Sequence, residues 1–345
     1  MNKFFVLCLS LLILVSCEGE KVVGKLGRRI VTRTPETEVE LMPADSLCGS
    51  LLDGTWGVHC VEDSIIVFQL RDATGSCFRA LNLKTQSYQD FLTLGRGPDE
   101  VVAGFFSNKR KENGRTLLDI TAINEGLLLT IDLEETLQTG QTAISSRKEL
   151  IHQATKSFYV GERILSEVVN DIDMYSFKLY DPDDHEVQWM VQPYGEEEYL
   201  ALFQPLFSST VKIKPDGTKL SLSMLFFNGI NIIDLEGEEH MGMSVSKRND
   251  DALILKKALS RKSLGERYYY MQHDVTDADI FALYYDCDVN KNMDRESAVI
   301  HVFSWDGKWK AVYRLNEPLI SFIVSDDGRS LYGLTADEVL YRYDL

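Results

Sequence analysis

Two sets of side chains have the types and spacing to do chemistry. Asp286, Asp288, Asn290 and Asp294 place oxygen ligands at positions 1, 3, 5 and 9 of one run, the spacing with which a loop wraps a hard cation such as Ca2+. Two neighbours oppose that reading. Lys291 stands where such a loop needs glycine for its sharp turn, and Ser297 stands where a bidentate Glu belongs. A solvated polar loop between two strands is the competing reading. The second set is the six histidines, His59, His152, His185, His240, His273 and His301, none of which is paired at metal-ligand spacing. A metal site would therefore need three or four ligands converging from distant parts of the chain. No Gly-x-Ser-x-Gly, Ser-x-x-Lys or Cys/His signature offers a nucleophile. Gly95-Arg96-Gly97-Pro98-Asp99-Glu100 has glycines like a phosphate loop, but it lacks the Lys-Ser/Thr and the following helix. It is expected to be a sharp connection in which Arg96 and Asp99 tie neighbouring units together.

The elements that must position these groups are bounded by composition. The chain has 345 residues, of which 36 are basic and 53 acidic, for a net charge of −17, and 44% are hydrophobic. This is globular composition with an acidic bias. It excludes collagen and long disordered tracts, and it disfavours nucleic acid as a partner, because phosphate backbones are bound by clustered Lys and Arg. The longest apolar run, residues 4–15, is too short to span a bilayer. No cofactor is expected apart from Ca2+ at the loop above.

That run follows Met1-Asn2-Lys3 and ends in Leu14-Val15-Ser16-Cys17. The segment resembles a bacterial lipoprotein signal. The resemblance implies that residues 1–16 are removed, that Cys17 carries palmitate-type acyl chains, and that the chain stays on its membrane, since two or more acyl chains anchor stably. Residues 17–38, polar and charge-mixed, read as a lipidated tether, and residues 39–345 as the folded body. Glu18-Gly19-Glu20 after the cysteine resembles the surface-export signal of lipoproteins in Bacteroides-type bacteria. The expected location is the cell envelope, at the outer membrane and exposed at the surface. Cys48, Cys60, Cys77 and Cys287 remain in the body and are expected to be buried free thiols; a Cys48–Cys60 bridge is the open alternative.

The body is a succession of five- to eight-residue runs rich in Val, Ile, Phe, Tyr and Leu, separated by turn signals such as Asp216-Gly217 and Asp327-Gly328. This pattern predicts an all-β fold. Lys214-Pro215-Asp216-Gly217-Thr218-Lys219-Leu220 recurs as Ser325-Asp326-Asp327-Gly328-Arg329-Ser330-Leu331, an offset of 327 − 216 = 111 residues. A second echo runs from Leu94–Glu100 to Gln192–Glu198. If each offset covers two units, the unit is about 50 residues and six fit the body. The prediction is a six-bladed β-propeller of four-stranded antiparallel blades starting near Thr55, Phe105, Phe158, Ser209, Tyr268 and Ile320. The last blade has only three strands of its own, so an N-terminal strand around residues 30–41 is expected to close the ring and remove its open edge. Residues 249–263 are the one helical candidate, a basic insertion suited either to docking a partner or to a solvated connection.

The lipobox, the Leu94–Glu100 connection and the Pro-Asp-Gly turns together resemble the TolB-like six-bladed β-propeller lipoproteins of Bacteroides-type bacteria. That resemblance implies a fold and an outer-membrane location, and little about activity. In such a ring His59 and His273 are candidates to face the central channel, where lactonase-type and lyase-type propellers hold a metal. Two functions follow as expectations. The first is a lipid-anchored, non-catalytic binding or scaffolding module for an envelope protein or glycan. The alternative is a metal-dependent lyase or hydrolase at the channel mouth. Exposed Trp56, Trp189, Trp305 and Trp309 would suit sugars, although blade cores also use Trp.

Overall fold

A computed structural model describes residues 28–31, 34–71, 74–151, 154–170, 174–183, 187–191, 208–235, 240–245, 267–289 and 296–345. Six sheets radiate from a central axis, each built from consecutive antiparallel strands. Blade 1 holds β4 (Thr55–Glu62), β5 (Ile65–Leu70), β6 (Ser76–Asn82) and β7 (Ser87–Thr93). Blade 2 holds β8 (Gly104–Glu112), β9 (Arg115–Ala122), β10 (Leu127–Asp132) and β11 (Ile144–Glu149). Blade 3 is β12 (Ala154–Val160), β13 (Arg163–Asn170), β14 (Met174–Tyr180) and β15 (Val187–Val191). Blade 4 is β16 (Ser209–Ile213), β17 (Lys219–Met224), β18 (Ile230–Asp234) and β19 (His240–Ser244). Blade 5 is β20 (Arg267–Val275), β21 (Asp279–Asp288), β22 (Ala298–Ser304) and β23 (Trp309–Leu315). Blade 6 has β24 (Leu319–Val324), β25 (Ser330–Thr335) and β26 (Leu340–Asp344). The predicted blade starts agree with this, and the 111-residue echo joins the β16–β17 turn to the β24–β25 turn, two blades apart. Both turns close on a glycine at positive φ, Gly217 at 74° and Gly328 at 69°, which an L side chain adopts only with strain.

The second strand of a blade is covered on both faces by neighbouring blades, so it is buried along nearly its whole length, its small polar residues included. In β9 every residue after Arg115 is buried. Among the described residues one apolar cluster fills each of the six junctions. Those between blades 3 and 4 and between blades 1 and 2 are large, the first built on Phe158, Phe177, Leu220 and Phe226 and the second on Phe78, Phe91, Leu118 and Ile120. The junction between blades 2 and 3 is the smallest, with only Leu128, Leu150, Ala154, Ile164 and Tyr180 at its buried centre.

Ring closure differs in detail from expectation. The strand that completes blade 6 is β3 (Asp45–Leu47), antiparallel to β26 in the register Leu47↔Leu340. Residues 30–41 instead carry two further strands that pair in parallel with outer edges: β1 (Arg28–Val31) on β19 and β2 (Thr37–Leu41) on β23. The reason is directional. The chain passes blades 4, 5 and 6 in turn before entering blade 1, so only its last strand lies beside the incomplete blade, and the earlier ones cover exposed edges. Residues 28–31 and 37–38, assigned by composition to the tether, therefore belong to the sheets. Arg79 anchors the turn from β3 into β4: its guanidinium donates to the carbonyls of Leu51 and Asp53, both at 3.1 Å, and to the Asp90 carboxylate at 2.6 and 2.8 Å.

One helix lies among the described residues, α1 (Leu133–Thr139), between β10 and β11. Asp132 caps it by accepting from Glu135 N, and Gly140 at φ 73° ends it. These are ordinary cap signals that a strand-based reading passes over. The predicted helix at 249–263 lies outside the described residues. No helix among the described residues is long and apolar enough to cross a membrane.

Candidate functional site

The ends of all six inner strands, β4, β8, β12, β16, β20 and β24, surround a cavity of about 630 Å³ at one mouth of the central channel. Its wall is fixed by ion pairs between blades. Lys109 of blade 2 bonds both carboxylate oxygens of Asp326 in blade 6 at 2.7 Å and the Val61 carbonyl in blade 1 at 2.8 Å. Lys111 reaches Glu62 of blade 1 at 2.7 Å. Across the mouth, Lys212 of blade 4 meets Asp274 of blade 5 at 3.1 Å, and Asp274 also accepts from Val324 N of blade 6 at 2.9 Å. Lys214 pairs with Asp216 in its own turn. The mouth is thus preformed, polar and internally neutralised, within a chain of net charge −17.

His59 lines this cavity, half-buried and stacked on Phe106 with ring centroids 5.0 Å apart. Desolvation, helped by the positive Lys212 and Lys156, lowers its pKa to about 3, so the ring is neutral. Its Nε2 is buried without a hydrogen-bond partner among the described residues. His273 sits behind the wall, fully buried between blades 4 and 5. Thr210 and Ser223 hydroxyls reach its Nδ1 at 2.6 and 3.0 Å, and Ser221 its Nε2 at 2.7 Å. Burial holds its pKa well below the ordinary histidine value. With both ring nitrogens engaged, His273 has no lone pair free for a metal unless a hydroxyl is displaced. Among the described residues, no three His, Cys, Asp or Glu side chains come together as a metal set.

The candidate cation loop begins inside β21 rather than in a turn, with Asp288 and Cys287 registered against Arg267 and Tyr268 of β20. The Asp286 carboxylate accepts from Arg267 Nε at 2.7 Å. Asn290 and Asp294 lie outside the described residues. Because Asp286 already has a cation, calcium and a chelator are expected to give the same thermal midpoint. A rise of several degrees in calcium would establish the loop as a site.

Cys48 is exposed and Cys287 half-buried, against the expectation of buried thiols, while Cys60 and Cys77 are buried; none of the four is joined in a disulfide among the described residues. Burial pushes the Cys60 thiol up to about 12, so it is unreactive. In the Gly95–Glu100 connection the Glu100 carboxylate accepts from Gly97 N at 2.7 Å, and a Cβ on Gly95 would fall on that carboxylate. Asp99 pairs with Arg147 of β11 at 2.5 Å, while Arg96 is exposed. Trp305 and Trp309 are core residues, Trp56 is 50% exposed, and the side chain of Trp189 lies outside the description. Trp56 shares its position, second in an inner strand, with exposed Phe105 and Ile320, so the opposite end of the channel is partly apolar. The lysines and aspartates of the mouth were not singled out as a site by the sequence, although two of the turns that carry them are its recurring Asp-Gly motifs.

No family model matches the chain, and no curated protein matches it in sequence. Among solved structures it is similar to a member of the DUF4221 family from Bacteroides vulgatus, with 13% identity, 90% of this chain and 98% of that one covered, and a TM-score of 0.54. It is also similar to a candidate exported protein from Bacteroides fragilis, with 12% identity, 88% and 94% coverage and a TM-score of 0.51. The β-propeller domain of Swd1 from Myceliophteria thermophila has 8% identity, 88% and 99% coverage and a TM-score of 0.50. At these identities the likeness is one of fold.

Proposed function

We propose that this six-bladed propeller is an exported binding module, held on the outer membrane through lipid on Cys17, whose ligand seats in the channel mouth. The observation that carries this reading is the mouth itself: a preformed cavity to which every blade contributes, with walls fixed by ion pairs between blades. A rigid, prepaid wall suits recognition, because little ordering is left for the ligand to drive. The candidate exported protein from Bacteroides fragilis supports the export step by analogy of fold.

Two measurements test the two halves. A Cys17→Ala form should lose labelled palmitate and move from the membrane to the soluble fraction; unchanged membrane retention would remove the anchor. For the site, a photo-cross-linking residue placed at exposed Asp277 on the mouth should capture a ligand from the native envelope, whereas one at exposed Ile123, outside the mouth, should not. Equal capture from both positions, or none from either, would dismiss the mouth as the binding site.

A further inference from the structure

The mouth does not end at its rim. A second cavity of about 730 Å³ lies along the junction between blades 2 and 3 and shares Arg110, Glu112, Tyr159 and Gly161 with the first. Together they form one trough from the channel axis outward to Ser145 and Ser146 on β11. It follows the junction with the least apolar packing. Hydroxyls take over there: Ser107 bonds Thr121 at 2.7 Å, Ser157 bonds Ser166 at 2.7 Å, and Ser166 bonds Tyr180 at 3.1 Å. Blade 2 has three strand-to-strand steps from β8 to β11, so the outward arm is about 14 Å long. That suits an extended ligand of a few repeating units, and it exceeds what an amino acid or a free phosphate fills.

The charges decide what kind of ligand. In the outer arm Arg115 pairs with Asp132 at 2.9 Å, Lys148 with Asp183 at 2.7 Å, and Arg110 with Asp119 at 3.0 Å and Glu112 at 2.5 Å. With the mouth pairs already described, every Lys and Arg lining either cavity has a carboxylate of the chain itself. An anionic polymer would have to break these pairs, and a cationic one would compete with the same lysines and arginines. The buried wall atom left without a partner, His59 Nε2, belongs to a neutral ring. A peptide would want open apolar pockets for anchoring side chains. Here most apolar wall residues, Val61, Phe106, Val160, Ile213, Ile323 and Val324 among them, are buried, and the apolar surface left open is that of Pro182, Pro215, Val275 and the Tyr159 ring, which are spread along the trough. What remains is a dense set of planar carboxylates, guanidinium groups, amides such as Asn108 and Asn113, and hydroxyls. Such groups pair with both the donor and the acceptor of a sugar hydroxyl.

We infer that the trough binds a neutral oligosaccharide, one end in the channel mouth and the rest along the junction between blades 2 and 3. This rests on the reading of the mouth as a binding site. The test uses the full mature chain and a panel of neutral oligosaccharides (cellotetraose, xylotetraose, mannotetraose, maltotetraose and chitotetraose), with heparin and a mixed tetrapeptide library alongside, read by calorimetry and ligand-observed NMR. At least one neutral sugar should bind saturably, with affinity changing less than about twofold between about 50 and 500 mM salt, because no ion is exchanged. Tyr159→Ala and exposed Glu162→Ala should each weaken it by about tenfold or more. Trp56→Ala at the other end of the channel should leave it unchanged, and unaltered thermal midpoints would show that the variants fold. Salt-sensitive binding of heparin alone, binding of peptides alone, or no sugar bound would overturn the inference. Capture from position 277 of a ligand that is not a sugar would sink this inference while leaving the binding module standing.

Discussion

Lowering the pH from about 7.5 to about 4.5 is expected to remove at least about 3 kcal/mol of folding stability, through histidines that the fold keeps neutral. Burial lowers the pKa of His59 and of His301 from 6.5 to about 3, and that of His273 falls well below 6.5. In the unfolded chain each takes a proton as the pH passes down through 6.5. The folded chain refuses it until far lower, so stability present above pH 6.5 is lost between 6.5 and about 3. Two units below the unfolded value, His59 and His301 each account for roughly 2–3 kcal/mol, and His273 adds to the loss in the same direction. Asp119 works the other way. Desolvation raises its carboxyl from 3.8 to about 6, against the pull of Arg110, so the fold improves at this group as the pH falls through that window and offsets about one histidine. Urea midpoints at the two pH values measure the sum, and coincident midpoints would refute it. A His301→Phe variant keeps a ring among Tyr270, Tyr284 and Trp309 and should remove roughly 2–3 kcal/mol of the histidine-driven dependence.

Asp274→Ala is expected to cost about 3–5 kcal/mol, because this one carboxylate joins three blades. It stands on blade 5, only 4% exposed, and its loss leaves the Lys212 ammonium of blade 4 and the Val324 amide of blade 6 without their partner in the wall of the mouth. Asp274→Asn keeps an acceptor for Val324 and should fall between the two. Adding Lys212→Met to Asp274→Ala removes the orphaned charge and should restore part of the loss, which separates the unpaired ion from lost packing. Denaturant unfolding of the four proteins decides it: an Ala variant within about 1 kcal/mol of the parent would mean that the pair is ornamental to the ring.

What the sequence made legible follows the physics of burial. Central strands such as β9 are buried almost throughout because both faces are covered, which keeps their Leu, Ile and Val content high, and the Asp-Gly turns recur at β16–β17 and β24–β25 because both close on a glycine at positive φ, so blade number and blade starts could be read. The strands β1 and β2 could not. Thr37-Glu38-Val39-Glu40-Leu41 is almost wholly exposed on an outer edge, so its composition is that of a linker. The closing strand is only three residues long. At the mouth the difficulty is different: Lys109, Lys212, Asp274 and Asp326 come from four blades, and each alone looks like a solvated charge. Their convergence is a property of the ring, which no local spacing records. Of the two histidines proposed for the channel, His59 does line the mouth and His273 lies behind it, a distinction between neighbouring strand positions that the sequence does not carry.

The edge pairing of β1, β2 and β3 also sets a clock. These strands leave the ribosome first, yet their partners are β19, β23 and β26, and Leu47 waits 340 − 47 = 293 residues for Leu340. Such distant contacts form late, because loop closure must come before they are rewarded. No early fragment of the chain can complete the ring, and the opening strands stay unpaired until blades 4, 5 and 6 exist. If the chain is exported as proposed above, that delay is useful to a polypeptide threaded through a membrane in extended form: the lock can turn only after the last strand has arrived.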